Sequence, residues 1–191
     1  YVAPDGQLFL IVRPFDLLSD DEGMRILRSL GPDFESLLQF WEGSTGLKID
    51  QVQQMIVSFH PDRSTHPRVM VVARLVIPLS PKVLATWGEA EVAPKEMGSI
   101  FRVAGWNILV PKDGDQRVLV MGEESDVREV VSSEGLEPLL RREIEQVLRS
   151  TDRQRHVTVL AAPNFLFAGG QGLFSGPRKK ILAPMSRFLG D

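Results

Sequence analysis

An α+β fold is what this sequence predicts, with an antiparallel or mixed sheet and its helices mainly on one face. Three observations carry that expectation. Strand-like stretches that follow one another are joined mostly by short, turn-rich links of the hairpin kind, which pair strands antiparallel. The stretch 68–77 is apolar on both faces apart from Arg74, as a strand in the middle of a sheet must be. The helical stretches each carry a single apolar stripe, so each has one face to bury against a layer.

Taken in order, Val2-Ala-Pro-Asp-Gly6 is turn material before a strand over 7–13 that ends at Pro14. Asp20, Asp21 and Glu22 then precede Met24, Ile26, Leu27 and Leu30, which places acids at the positive end of a helix. Gly31-Pro32 stops that helix and starts another, whose Phe34, Leu37, Leu38 and Trp41 follow at i, i+3, i+4 and i+7. Gly43-Ser-Thr-Gly46 ends the helical pair. A short helical turn within 47–53 leads to a strand over 54–59, and the proline-bracketed loop 60–67 joins it antiparallel to the strand 68–77.

Ser80-Pro81 is an N-cap followed by proline at the first helical position, with Val83, Leu84 and Trp87 as the stripe behind it. The stretch 88–98 reads as a loop. Short strands are expected over 99–103, 107–110 and 116–121, the last two joined through Pro111-Lys-Asp-Gly-Asp115, whose Asp-Gly pair suits positive-φ turn positions. A helix opens at Glu123-Glu-Ser-Asp126, and Glu137-Pro138 opens the longest one, running to about Ser150. A charged connector then leads to a strand over 157–163 and a last helix. The order β-αα-β-β-α-β-β-β-α-α-β-α also fits a layer derived from a ferredoxin-like arrangement.

The opening strand returns in altered form near the far end of the chain. Setting Pro14 against Pro163 gives an offset of 163 − 14 = 149, and Leu10, Ile11, Val12 and Leu17 then fall opposite Val159, Leu160, Ala161 and Leu166. Arg25-Ile-Leu27 is echoed by Lys180-Ile-Leu182 at 182 − 27 = 155, so the second copy carries a six-residue insertion that contains Gly169, Gly170 and Gly172. We therefore expect a complete unit over 1–155 and the opening strand and helix of a similar unit over 156–191, packing onto the first. The start at Tyr1 is consistent with a piece of a longer protein.

Composition narrows the chemistry. The 191 residues include no cysteine, which excludes disulfides, thiolate metal sites and cysteine nucleophiles. With 22 basic and 25 acidic residues the net charge is −3, so there is no overall attraction to nucleic acid or to anionic membranes. No apolar run approaches the roughly 18 residues of a membrane span, so membrane attachment would come only through segments outside this chain.

His60, Asp62 and His66 form the one His/carboxylate cluster and are the metal or general-base candidates. Zinc wants three or four ligands on ordered elements, whereas these sit in a loop with Pro61 and Pro67, and the third histidine, His156, lies far along the chain. A structural or exposed loop is the favoured reading. No Gly-x-Ser-x-Gly elbow is present. The glycine-rich 168–180 stretch misses phosphate-loop spacing, which leaves Arg178, Lys179 and Lys180 as anion-contact candidates, joined by Arg149, Arg153 and Arg155. Asp113-Gly-Asp115 lacks the further acids of a calcium loop. Trp41, Trp87 and Trp106 read as core or core rim. No cofactor is expected.

The segments Tyr1-Val-Ala-Pro with Leu10-Ile-Val-Arg-Pro-Phe-Asp-Leu-Leu18, and Ala162-Pro-Asn-Phe-Leu-Phe167 with Phe188-Leu-Gly-Asp191, resemble uncharacterised extracytoplasmic repeat-containing proteins of planctomycete bacteria. The resemblance implies an exported or membrane-anchored setting, periplasmic or cell envelope, and a multi-unit chain; it brings no catalytic residues. The expected function is a non-enzymatic binding or scaffold module whose partners are proteins or neighbouring units of the same chain. A hydrolase with a spatially assembled site around His60 and His66 is the alternative, and a nucleic-acid binder using the basic segment is weaker still.

Overall fold

The computed structural model describes residues 6–29, 32–60, 68–94, 97–112, 116–133, 140, 142–152 and 155–162. Strand β1 (Leu8–Val12) is followed by helices α1 (Pro14–Ser19), α2 (Asp21–Ser29) and α3 (Pro32–Thr45), and a 3₁₀ turn at Ile49–Gln51 leads into β2 (Val52–His60) and β3 (Arg68–Leu75). Helix α4 (Pro81–Thr86) precedes β4 (Glu91–Val92), β5 (Gly98–Val103), β6 (Trp106–Pro111) and β7 (Val118–Gly122). Helices α5 (Glu124–Ser132) and α6 (Arg142–Ser150) and strand β8 (Val157–Ala161) complete the order.

All these strands form one sheet in the order β4-β5-β6-β7-β3-β2-β1-β8, antiparallel at every pairing. The α+β class and the antiparallel sheet are those expected, with β3 inside the sheet as its two apolar faces require. Register assigns side chains to faces. Val57, Val71, Met121, Ile108 and Phe101 lie opposite one another on one face, covered by Trp41, Leu47, Leu79 and Trp87 from α3, α4 and the segments beside them. On the other face Val72, Val120, Leu109 and Ile100 align, and α5 brings Val127, Val130 and Val131 down onto them. Helix α6 adds Ile144 and Leu148 over Phe9 and Leu160 on that same second face.

The helices, expected mainly on one face, thus take both. The reason is that β3, β6 and β7 are apolar on both sides, and each side needs its own cover. The strand order is also not a ferredoxin-like one: β1 lies directly beside β2 and antiparallel to it, where that arrangement separates the two and makes them parallel. Three helices and a 3₁₀ turn carry the chain out from the end of β1 and return it to the same end.

Sequence and structure differ at four further points. Helix α1, beginning at Pro14, is additional to the two helices expected between β1 and β2. The two residues of β4 lie within the stretch read as loop. The longest described helix is α3, at 14 residues, and α6 begins at Arg142 with Leu140 outside it. Ser80 does cap α4 as expected, its Oγ accepting from Val83 N at 3.3 Å. The Asp113-Gly-Asp115 turn, Pro163 and the last expected helix lie outside the described residues.

The two ends of the sheet are unlike. At one end β4 is two residues long, and its Glu91 is tied to Arg128 of α5 at 3.5 Å. Short length and charge are how natural sheets blunt an edge. At the other end β8 reads Val-Thr-Val-Leu-Ala, with no charge in it.

Candidate functional site

Polar side chains are brought together inside the protein at the end of the β2–β3 hairpin. Ser58 and His60 are two residues apart on β2 and therefore point to one face; Arg68 opens β3 directly opposite His60. Helix α5 starts just after β7, and its first turn places Asp126 over the same face. Ser58 is 1% exposed, and His60 and Asp126 are fully buried.

The Arg68 guanidinium pairs with the Asp126 carboxylate, which also lies at the positive end of α5. His60 Nε2 is 2.8 Å from Ser58 Oγ, and that hydroxyl donates to the Met70 carbonyl at 3.4 Å. The cluster is thus a buried ion pair beside a hydrogen-bonded serine and histidine.

The candidates named from sequence fare differently. The reading of His60 as part of a structural or exposed loop is corrected in one respect: His60 is the last residue of β2 and is fully buried. Asp62, His66, Arg178, Lys179 and Lys180 lie outside the described residues. His156 precedes β8, where its carbonyl accepts from Arg13 N at 2.9 Å, while His60 lies beyond the Leu8 end of β1. The two histidines are therefore at opposite ends of one strand. Among the described residues there is no group of three or more His, Asp or Glu able to hold a metal, and no helix is long and apolar enough to cross a membrane.

Sequence reasoning missed Ser58 as the partner of His60, and the Arg68–Asp126 ion pair on the same face. The available signal was the alternation Ser58-x-His60 on a strand, with Arg68 symmetric across the connecting loop. Asp126 gave no signal of its own, because an acid in a first helical turn is accounted for by the helix dipole.

The tryptophans are core and core rim, as expected. Trp41 and Trp87 are 3% and 6% exposed. Trp87 Nε1 donates to the Thr45 carbonyl at 2.7 Å, and its ring meets Phe101 edge-on at 5.3 Å. Trp106 sits at the rim against Phe40, 6.1 Å away.

Among the described residues, shallow grooves open on the surface. One, of about 420 Å³, lies between α1, α3 and the 3₁₀ turn and is lined by Phe15, Leu18, Glu42, Lys48, Ile49 and Asp50. Another, of about 340 Å³, runs beside α4 and the β5–β6 pair past Leu84, Val92, Phe101, Val110 and Lys112. Neither is lined by the Ser58/His60/Arg68/Asp126 cluster. Compared with protein-family models, with curated proteins and with solved structures, the chain finds no match.

Proposed function

We propose that the chain is a non-enzymatic binding or scaffold module of a larger exported or membrane-anchored protein. The observation that supports it most is that β8 is the last strand of the sheet among the described residues. It carries no charge, and its Val157 and Val159 are 47% and 39% exposed. Such an edge is a ready surface for protein contact. The buried polar cluster points the same way, because Ser58, His60 and Asp126 are spent on holding β2, β3 and α5 together. The extracytoplasmic setting is supported by the planctomycete resemblance alone.

The hydrolase alternative draws on one feature, the 2.8 Å contact between His60 and Ser58, whose burial speaks against it. The deciding experiment is turnover of 4-nitrophenyl acetate, phosphate and glucoside by the 191-residue chain and by its Ser58→Ala variant. Rates equal to buffer for both are expected. Turnover that needs Ser58 would overturn the scaffold reading.

A further inference from the structure

We propose that β4 is a resident guard on a docking edge. In its place the outer edge of β5 takes an extended segment of a partner protein that alternates acidic and apolar residues and runs antiparallel to β5. Such an edge gives the scaffold module, the reading on which this rests, a partner of stated chemistry.

The edge is longer than the strand that lies on it. β5 has six residues, and β4 pairs with two of them, Glu91 with Ile100 and Val92 with Ser99. Backbone direction follows from the hydrogen bonds at the base of the hairpin. Ala93 N donates to the Gly98 carbonyl at 2.9 Å, while the Met97 carbonyl turns the other way and accepts from Lys112 N at 2.9 Å. By the alternation of an antiparallel ladder, Gly98, Ile100 and Arg102 direct their amides and carbonyls away from β6. Among the described residues β4 is the last strand on this side, and it does not use the pairing position opposite Arg102.

The chain itself shows what fits that position. Paired residues of β4 and β5 have numbers summing to 191 (91 + 100 = 92 + 99), so the same register carried two residues further sets 191 − 102 = 89 opposite Arg102. That residue is Glu89. Residues 89–93 read Glu-Ala-Glu-Val-Ala, yet Glu89 and Ala90 lie outside β4 and are exposed. The cause is Trp87, which is 6% exposed and meets Phe101 edge-on at 5.3 Å on the face covered by α3 and α4. A chain held on that face at residue 87, and turned at Gly88 with φ 86°, reaches the edge only by residue 91. A strand from another protein has no such tether and can follow β5 to its end.

Charge decides what that strand carries. Directly paired residues share a face, so the positions opposite Ile100 and Arg102 are on the side of α5. There Glu91, Arg102, Glu124 and Arg128 line one depression over Ile100. Arg128 meets Glu124 at 2.9 Å and Glu91 at 3.5 Å. The Arg102 side chain, 69% exposed, reaches Glu124 at 3.6 Å, too long for a hydrogen bond. A partner carboxylate opposite Ile100 takes over Arg128 from Glu91, and a second one opposite Arg102 meets a guanidinium that β4 does not reach. Opposite Gly98 stands Ala93, 2% exposed and in one apolar cluster with Ile100 and Val127, so a small residue is required there. Exposed ion pairs hold weakly, which keeps the guard exchangeable.

The probe is the peptide acetyl-Val-Glu-Val-Glu-Val-Ala-amide, whose glutamates fall opposite Arg102 and Ile100 and whose alanine falls opposite Gly98. A control peptide has lysine in place of both glutamates. Amide hydrogen exchange in the 191-residue chain is followed with each. With the glutamate peptide at ten times its Kd, the Arg102 amide is expected to slow by about tenfold, while the Ala93 amide, parted from the Gly98 carbonyl, exchanges faster. The lysine peptide should change neither. Arg102→Glu, a substitution at an exposed side chain, should reverse the preference between the two peptides.

Four outcomes overturn the proposal. They are no saturable binding of the glutamate peptide, equal binding of both peptides, a slowed Arg102 amide with Ala93 unchanged, which is strand addition without displacement of β4, and an Arg102 amide already protected in the free chain, which means that residues 88–90 extend β4 themselves. The scaffold reading is tested by turnover and this edge by peptide exchange, so the failure of either is told apart from that of the other.

Discussion

Burying a carboxylate is costly unless a partner meets it, and the Asp126–Arg68 pair shows how one-sided that cost is. Removing one partner leaves a charge stranded, for which about 3 to 5 kcal/mol is typical, while replacing both with apolar groups of similar size can be nearly neutral. Asp126→Ala should therefore lower stability by about 3 to 5 kcal/mol in urea unfolding, and the double change Asp126→Leu with Arg68→Met by clearly less. A second comparison separates the two core tryptophans. Trp87→Phe abandons the hydrogen bond to Thr45, whereas Trp41 Nε1 has no hydrogen-bond partner among the described residues. Trp87→Phe is expected to cost more than Trp41→Phe by about 1 kcal/mol, read from the same unfolding curves. At this scale the sequence was only partly legible. It singles out His60 but places it among loop residues because Pro61 and Pro67 bracket that stretch; the Arg68–Asp126 pair on the same face is one that no spacing rule links.

Elements were far more legible than their residues. The strands with apolar runs were found within about two residues at most ends, since period-2 and two-faced patterns are dictated by the sheet itself. What escaped was short: β4 has two residues, and α1 has six behind Pro14, too few to show a stripe. The β5–β6 turn went unremarked because its sequence, Ala104-Gly105, lacks the usual asparagine or aspartate, yet both residues have positive φ, 49° and 84°. Alanine in that region is strained. Ala104→Asn is expected to raise stability by about 0.5 to 1 kcal/mol, measured as a shift in the urea midpoint. The opposite sign is expected at Gly98, where φ is 144° and an added Cβ would lie 2.1 Å from the Val110 carbonyl oxygen. Gly98→Ala should cost roughly 1 to 3 kcal/mol.

At the scale of the molecule, class and strand direction were legible from hairpin-like connections, whereas the use of both faces by helices was not. Face assignment follows from which strands are neighbours, and neighbour choice is a long-range property. The β1–β8 pairing is the longest-range of all. Because Ile144 of α6 and Leu160 of β8 belong to the same apolar cluster as Phe9, a chain ending at residue 152 would bare both β1 and the underside of α6. That fragment is expected to melt lower than the 191-residue chain and to aggregate on heating, as seen by thermal melts with light scattering.

That same pairing sets a schedule for the nascent chain. Leu10 and its partner Val159 are 159 − 10 = 149 residues apart, so a ribosome adding about 5 to 20 residues per second takes roughly 7 to 30 s between them. Throughout that interval β1 can zip onto β2, but its far side has nothing to hold. Of the strands in this sheet, β1 emerges first and is thus among the last to be enclosed, and a chaperone acting on this protein during synthesis would find a binding stretch there, in Leu8-Phe-Leu-Ile-Val12.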